Sequence, residues 1–366
     1  MHLEKLSLIN FKNYAEADLE FINGINCFVG DNGVGKTNLL DAIYYLSFSK
    51  SFLNPIDSQN VMFDADLFVI QGTFQLKKKK EKVYCGVKKG QKKQFKRNKK
   101  EYKKLADHIG LFPVVVISPE DNNLIAEGSE VRRKFIDSII SQLDKVYLTN
   151  LINYNKVLNQ RNALLKIFAE RGNFDKEALQ VWDVQLIELG VEIHSKRKEF
   201  IEEFTPEFQK SYDFISGGLE KIELEYDSQL NNGAFDELLD RARQRDAKLR
   251  YSSVGIHKDD LLFKIKGHPV KKFGSQGQQK SFVIGLKLAQ YNFIKIHKKF
   301  TPILLLDDIF DKLDSKRVEK LMQKVSDQSH GQIFITHTHQ DRIKNVLDNI
   351  VAEYKLFVIK DGVITQ

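Results

Sequence analysis

Cysteine is nearly missing from this chain: Cys27 and Cys85 are the two among 366 residues. Two cannot build a disulfide framework, and no Cys/His cluster has the spacing of zinc ligands. Long apolar runs are missing too. Apolar runs such as Pro113–Ile117 and Ile303–Leu306 fall far short of the ~20 residues that span a bilayer as a helix. The start, Met1-His2-Leu3-Glu4-Lys5, carries an early acid and no apolar core, so no secretory signal is expected. There is no internal repeat and no heptad stretch long enough for an extended coiled coil. These absences lead to the expectation of a cytoplasmic protein with no membrane span and no structural metal. The length, with 42% hydrophobic and 29% charged residues, fits a globular chain of two domains or lobes.

Charge is plentiful but unevenly placed. The chain holds 57 Lys+Arg against 49 Asp+Glu, a net of +8. Residues 77–104 alone contain fifteen Lys/Arg and two Glu, so the rest of the chain is net acidic. Val83, Cys85 and Val87 alternate with other residues before Lys88-Lys89-Gly90, which predicts a β-hairpin with a lysine-rich tip. Lysine is a point charge suited to contact with phosphate backbones. Lys92, Lys93, Lys96 and Arg97 are therefore candidate DNA contacts. The competing explanation is an edge hairpin whose lysines block unwanted strand pairing.

The first thirty residues read as strands. Leu3, Leu6, Leu8 and Phe11 lead to a turn at Asn13, and the apolar strand Ile25–Val29 follows Asn23-Gly24. From about Glu130 to Arg250 the periodicity becomes helical, over Val131–Thr149, Leu151–Ala169 and Ala178–Phe204, with Pro206 just beyond. After Gly255 strand-like and mixed patterns return: Leu261–Ile265, Ile303–Asp308, Gln332–Thr336, and a terminal hairpin from Leu356 to Ile364. Trp182, Tyr212, Phe214 and Tyr251 are expected in the core and not on a base-stacking surface.

Gly30-Asp31-Asn32-Gly33-Val34-Gly35-Lys36-Thr37 matches G-x-x-x-x-G-K-[ST], with a buried strand before it and an amphipathic helix after it. Such a loop turns backbone N–H groups toward phosphate oxygens, aided by the helix N-terminus. Lys36 is expected to reach the β- and γ-phosphates of ATP, and Thr37 to ligate Mg²⁺. Far downstream, Ile303–Leu306 ends in Asp307-Asp308. Two carboxylates at the end of a buried strand are costly unless they face a cation or ligand. Asp307 is expected on the Mg²⁺ side, and Asp308 as the residue that orients or deprotonates the attacking water. Gly274-Ser275-Gln276-Gly277-Gln278-Gln279 is a third element. Ser275 and Gln278 fit a capping box. Gly277 in the first turn also leaves backbone N–H groups unobstructed, which makes a second anion site. Two helix N-termini for one nucleotide point to a pocket shared across a dimer.

Together these motifs resemble the ATPase heads of the SMC kind, and more closely the RecF family of bacterial recombinational-repair proteins. The resemblance rests on the loop running into Asn38-Leu39-Leu40-Asp41-Ala42-Ile43, on the Ser-Gln-Gly-Gln-Gln stretch, and on Leu306-Asp307-Asp308 with Leu313-Asp314. It extends to Asn10-Phe11-Lys12-Asn13-Tyr14, Ser118-Pro119-Glu120-Asp121, Arg132–Asp137, Leu158–Lys166 and Gly255–Asp260. It implies an α/β fold: an ABC-type phosphate-loop ATPase head (residues 1–118 and 286–366) with a mostly helical second lobe (119–285). It implies an ATP-dependent homodimer in which Ser275, Gly277 and Gln278 of one chain meet the γ-phosphate held by Lys36 of the other. Gly30 through Asn38 would line the nucleotide, Asp314 would line the dimer seam, and His337 takes the place of the switch histidine. Asp308 stands where many relatives of the wider class carry Glu, which implies slow turnover. The implied role is a DNA-stimulated ATPase switch that binds double-stranded DNA at gaps. It would help load RecA with RecR and RecO on DNA coated by single-strand-binding protein, at the nucleoid. A transporter ATPase subunit would not account for the basic patch, and a structural SMC-like protein would show long heptads.

Overall fold

The computed structural model describes the chain except residues 219, 310–316, 319, 322–330, 349–352, 361 and 366. It divides into two compact units, Met1–Asp121 with Ile284–Gln366, and Asn122–Val283. The switches thus fall at 121/122 and 283/284, against 118/119 and 285/286 expected from sequence.

The first unit is built on two sheets. One is antiparallel and consists of β1 (His2–Phe11), β2 (Tyr14–Glu20), β4 (Leu67–Leu76), β5 (Lys79–Lys88), β6 (Gln94–Arg97) and β7 (Lys100–Glu101), in the order β2-β1-β4-β5-β6-β7. The uneven spacing of Leu3, Leu6, Leu8 and Phe11 has a local cause. A bulge interrupts the β1–β4 register between Leu3 and Lys5, and Asn10 adopts φ +50°. Each irregularity returns the next apolar side chain to the core face, and all four are buried. In the second sheet, β3 (Ile25–Val29), β8 (Val114–Ile117), β12 (Ile303–Leu306), β13 (Ile333–His337) and β14 (Tyr354–Lys360) are parallel, and β15 (Val363–Thr365) is an antiparallel edge. Their order is β15-β14-β3-β13-β12-β8. Continuous apolar strands suit a parallel sheet covered on both faces; β3, β8, β12 and β13 are buried at every residue. Helix α1 (Lys36–Phe48) contacts strands of both sheets. Its buried Leu39, Leu40, Ala42, Ile43 and Leu46 join Phe28, Phe68, Phe74, Phe334 and Phe357 in one core. Gln332 ties the sheets together: its amide accepts from Leu3 N at 2.7 Å and donates to the Leu3 and Ile22 carbonyls at 2.7 and 2.9 Å.

The second unit is mostly helical. It holds α2 (Asn123–Ala126), α3 (Ser129–Leu143), α4 (Lys145–Arg171), α5 (Lys176–Ser216), α6 (Phe235–Leu249) and α7 (Val270–Phe273). Beside them lie β9 (Ile222–Asp227), β10 (Asp260–Ile265) and β11 (His268–Pro269). Two helix boundaries are corrected. Val131–Thr149 is not one helix: Asp144 breaks it, because its carboxylate accepts from Val146 N and Tyr147 N and caps α4. The third helix does not stop before Pro206 but runs through it to Ser216. A mid-helix proline costs ~3 kcal/mol. Phe200, Phe204, Phe208, Tyr212 and Ile215, all buried at helical spacing, offset that cost. Tyr212 is core as expected, Trp182 and Phe214 are half-buried, and Tyr251 is a surface residue beneath Lys258 Nζ, 5.0 Å from its ring centroid.

This unit also buries whole arginines. Arg161 reaches Asp183, Asp246 and Ser252 at 2.6, 2.7 and 2.8 Å. Arg197 reaches Asp137 and Asp259, and donates to Ile256 O at 2.8 Å. Arg161 thus joins α4 to α5 and α6, and Arg197 joins α5 to α3; removing one partner of such a pair leaves a buried, unpaired charge.

Each unit carries a histidine that burial keeps neutral. His108 donates to Leu46 O at 2.7 Å and faces the Tyr102 hydroxyl at 3.0 Å; His257 donates to Ser252 O at 3.0 Å and faces the Tyr154 hydroxyl at 2.9 Å. Burial pushes both down to a pKa of about 4. Between ~6.5 and ~4 the unfolded chain binds the extra proton, so stability falls as pH falls through that window, by on the order of 3 kcal/mol per histidine. Thermal melting followed by circular dichroism should show the loss, and a melting temperature constant from pH 7 to 4.5 would contradict it.

Candidate functional site: a phosphate loop beside an acidic strand end

In the parallel sheet, β13 lies between β3 and β12. Their C-terminal ends therefore bring three distant segments to one edge, where ligands bind in open α/β sheets. These are the glycine loop after β3, Asp307-Asp308 after β12, and Thr336-His337 at the end of β13.

The loop is held by close packing that tolerates no side chain at two positions. Gly30 and Gly35 have φ of +155° and +106°; a Cβ on Gly30 would stand 2.3 Å from Ile359 O, and one on Gly35 would stand 2.3 Å from Asn13 Nδ2. Glycine permits this backbone at no steric cost. Asp31, Asn32 and Gly33 form the exposed rim. Lys36 is buried, and its ammonium donates to the carbonyls of Gly30 and Asp31, both at 2.8 Å. Gly30 N donates to His337 O at 3.3 Å, which places His337 against the start of the loop.

Thr37 and Asp307 stand 270 positions apart in the chain, yet the Thr37 hydroxyl donates to Asp307 Oδ1 at 2.8 Å. Burial raises the pKa of the Asp307 carboxyl; hydrogen bonds from Thr336 and Thr37 oppose the shift. Asp308 takes a left-handed backbone, φ +46°, and its Oδ1 is buried without a hydrogen-bond partner among the described residues. Paired hydroxyl and carboxylate oxygens, with an unsatisfied one nearby, fit a hard cation such as Mg²⁺. Thr37 and Asp307 are the residues that would hold it. Asp314 lies outside the described residues.

The sequence missed two groups of supporting residues. Asn13 donates to Val34 O at 2.9 Å and accepts from Asn38 Nδ2 at 2.7 Å, while the Tyr14 hydroxyl donates to Gly35 O at 3.1 Å. The turn after β1 thus clasps the loop from outside. Asp41, inside α1, is fully buried and bound by Lys12 Nζ at 2.5 Å, Ser51 Oγ at 2.6 Å and Phe52 N at 2.8 Å. A charged residue on the buried side of an amphipathic helix was the available signal. Thr336 gave no signal at all, being one β-branched residue in a buried strand.

Ser275 and Gln278 form the capping box at the start of α8 (Gln276–Lys298). Ser275 N donates to Gln278 Oε1 at 2.8 Å, and Gln278 N donates to Ser275 Oγ at 3.2 Å. Gln278 also donates to Glu220 Oε1 at 2.6 Å. Ser275 is exposed and Gly277 half-buried. These residues belong to the second unit, and the phosphate loop to the first.

The basic hairpin is β5–β6, with exposed Lys88, Lys89 and Lys92 around its turn. Two of its four expected contacts are engaged inside the protein. Lys93 is mostly buried; its ammonium pairs with Asp57 at 2.7 Å, donates to Ser49 O at 2.6 Å and to the Tyr45 hydroxyl at 3.2 Å. It caps the C-terminal end of α1, where a cation is favoured. Arg97 makes a bidentate pair with Glu81, both bonds 2.9 Å, and holds that carboxyl below its ordinary pKa. Lys92 is exposed, and Lys96 lies outward over Tyr84, 5.5 Å from its ring centroid.

Comparison with known proteins gives a consistent picture. The sequence profile of the RecF/RecN/SMC N-terminal domain matches residues 2–364. The DNA replication and repair protein RecF of Phocaeicola vulgatus is 51% identical over 368 residues, covering 100% of this chain and 98% of the relative. That of Flavobacterium johnsoniae is 52% identical over 357 residues, covering 98% and 99%. A solved structure of the recombination mediator protein RecF with ATP, of the RecFOR pathway, has 31% identity and a TM-score of 0.89, over 100% of this chain and 97% of the other. An SMC head bound to the C-terminal winged-helix domain of ScpA shares the fold alone, at 14% identity and TM-score 0.57, over 100% and 96%.

Proposed function

The chain belongs to the RecF family, and from that premise we propose that it is an ATP-driven recombination mediator, in which ATP assembles a DNA-bound homodimer and hydrolysis releases it. The observation that supports this best is the hydrogen bond from the Thr37 hydroxyl to Asp307 Oδ1, at the mouth of a glycine loop that already holds Lys36. Lys36 neutralises the terminal phosphates. Thr37, and Asp307 through water, would hold Mg²⁺, which when bound would neutralise charge that develops on the phosphoryl oxygens. Asp308 orients or deprotonates the attacking water. His337 adjoins the loop as a candidate sensor of the γ-phosphate. Ser275, Gly277 and Gln278 close over the nucleotide of a second copy, with Asp314 along the same seam.

The partners that this reading implies are duplex and gapped DNA, and RecR acting with RecO, RecA and single-strand-binding protein. Among the described residues no helix is long and apolar enough to cross a membrane, which is compatible with work at the nucleoid in the cytoplasm. The test is ATP turnover with and without duplex DNA, paired with gel shifts on gapped, duplex and single-stranded DNA in ATP and in ADP. Stimulation by duplex and ATP-dependent binding are expected; a turnover indifferent to DNA, with equal binding in both nucleotides, would reject the mediator.

Lys93 and Arg97 are bonded internally, so this reading takes the outward lysines as the DNA contacts. Lys82, Lys88, Lys92 and Lys96 replaced together by Gln should weaken duplex binding. The slope of log affinity against log salt should become shallower by about 0.9 for each phosphate no longer neutralised. Lys93→Gln, by contrast, should lower the melting temperature and leave that slope unchanged. Titrations at two salt concentrations distinguish the two.

A further inference from the structure

β12 ends at Leu306, whereas its neighbour β13 continues to His337. Thr336 therefore stands beside the acidic pair. Its hydroxyl is fully buried and is used twice: it donates to Asp307 Oδ1 at 2.8 Å and accepts from Asp308 N at 2.9 Å. One hydroxyl has one proton to give and lone pairs to receive, so both bonds are satisfied together. Threonine is β-branched and stiff at χ1, which makes this oxygen a fixed post. Burying a hydroxyl costs free energy unless it is bonded, and an apolar β-branched residue would suit this strand better on packing grounds alone.

What the post fixes is unusual. Asp308 holds φ +46°, a left-handed region that non-glycine residues keep only where the surrounding structure imposes it. Thr336 takes the N–H of that strained residue. It also orients the carboxylate oxygen of Asp307 that receives the Thr37 hydroxyl.

We propose that Thr336 is a positioning residue for hydrolysis, one hydroxyl setting both the cation-side carboxylate of Asp307 and the left-handed backbone that aims Asp308. The role rests on the ATPase reading above. Thr37 and Asp307 would hold a cation between them, and the Thr336 hydroxyl on Asp307 Oδ1 keeps that carboxylate from rotating. When water must be aligned, the same residue keeps Asp308 in place. Its removal costs turnover and cation-dependent ATP affinity, and leaves cation-free nucleotide binding intact.

Thr336→Val conserves shape and removes both bonds. In EDTA, its ATP affinity, read with a fluorescent ATP analogue, should stay within about twofold of the parent. The rise in affinity on adding Mg²⁺ should shrink at least about fivefold, and kcat should fall on the order of tenfold or more with KM changing less. Thr336→Ser keeps the hydroxyl but frees its rotation, and should recover most of both losses. Should the valine variant not fold, Thr336→Cys replaces it, with turnover expected in the order Thr, Ser, Cys. A folded valine variant with parental kcat and parental Mg²⁺ dependence overturns the assignment, as does a serine variant no better than valine or a cysteine variant equal to the parent. A parent chain without ATP turnover would instead defeat the proposed function itself, so the two failures are distinct.

Discussion

Ser275→Arg should yield a folded chain that binds ATP·Mg²⁺ but fails to form the ATP-dependent dimer proposed for the parent. Ser275 is exposed, and its side chain accepts one bond, from Gln278 N. Removing that cap costs about 1 kcal/mol, a small part of the roughly 5–15 kcal/mol typical of folded domains. The effect on pairing is far larger. If a second copy supplies this helix N-terminus to a γ-phosphate, ATP binds the dimer more tightly than the monomer and by linkage must stabilise it. A guanidinium at that seam displaces the serine hydroxyl and adds bulk where two surfaces meet. Dimerisation driven by ATP should weaken on the order of a hundredfold or more, as expected when ~3 kcal/mol of association energy is removed. Light scattering in ATP·Mg²⁺ checks this: a parental dimer fraction in Ser275→Arg would end the shared-pocket account.

Lys36→Arg is the second large effect expected. The lysine ammonium is a compact charge that rests on the carbonyls of Gly30 and Asp31 inside a buried site. Arginine can donate to the same carbonyls, so the fold survives. Its planar fork is wider than an ammonium and cannot take the lysine's place between loop and phosphates. An interaction made most strongly in the transition state disappears, which should lower kcat about a hundredfold or more, on the order of 3 kcal/mol. Single-turnover hydrolysis measures it, and circular dichroism at the same temperature confirms the fold. Retention of more than about a tenth of parental turnover would remove Lys36 from the chemistry.

Much of this site was legible beforehand because its parts are local. A strand, a glycine loop and a helix in sequence order place Lys36 and Thr37 without reference to anything distant. The capping box of Ser275 and Gln278 is likewise a four-residue device, and the structure forms both of its bonds. The helix boundaries at Asp144 and Ser216 were less legible. One depended on a carboxylate choosing to cap, the other on an aromatic stripe outweighing a proline. The basic run was legible as a lysine-tipped hairpin and no further. Charge composition identifies a patch, but it does not distinguish Lys92, which faces solvent, from Lys93, which is folded back onto α1.

The amino-acid order by itself determined the loop, the strands with their carboxylate ends, the helical middle and the family resemblance, since each is a pattern of neighbours along the chain. Tertiary structure alone decided which residues meet across long separations: Thr37 with Asp307, Thr336 with both aspartates, Asn13 with the phosphate loop, Lys93 with Asp57. The physical reason is that hydrogen bonds and ion pairs depend on distances of about 3 Å in space, and strand order in a sheet, not sequence separation, sets those distances.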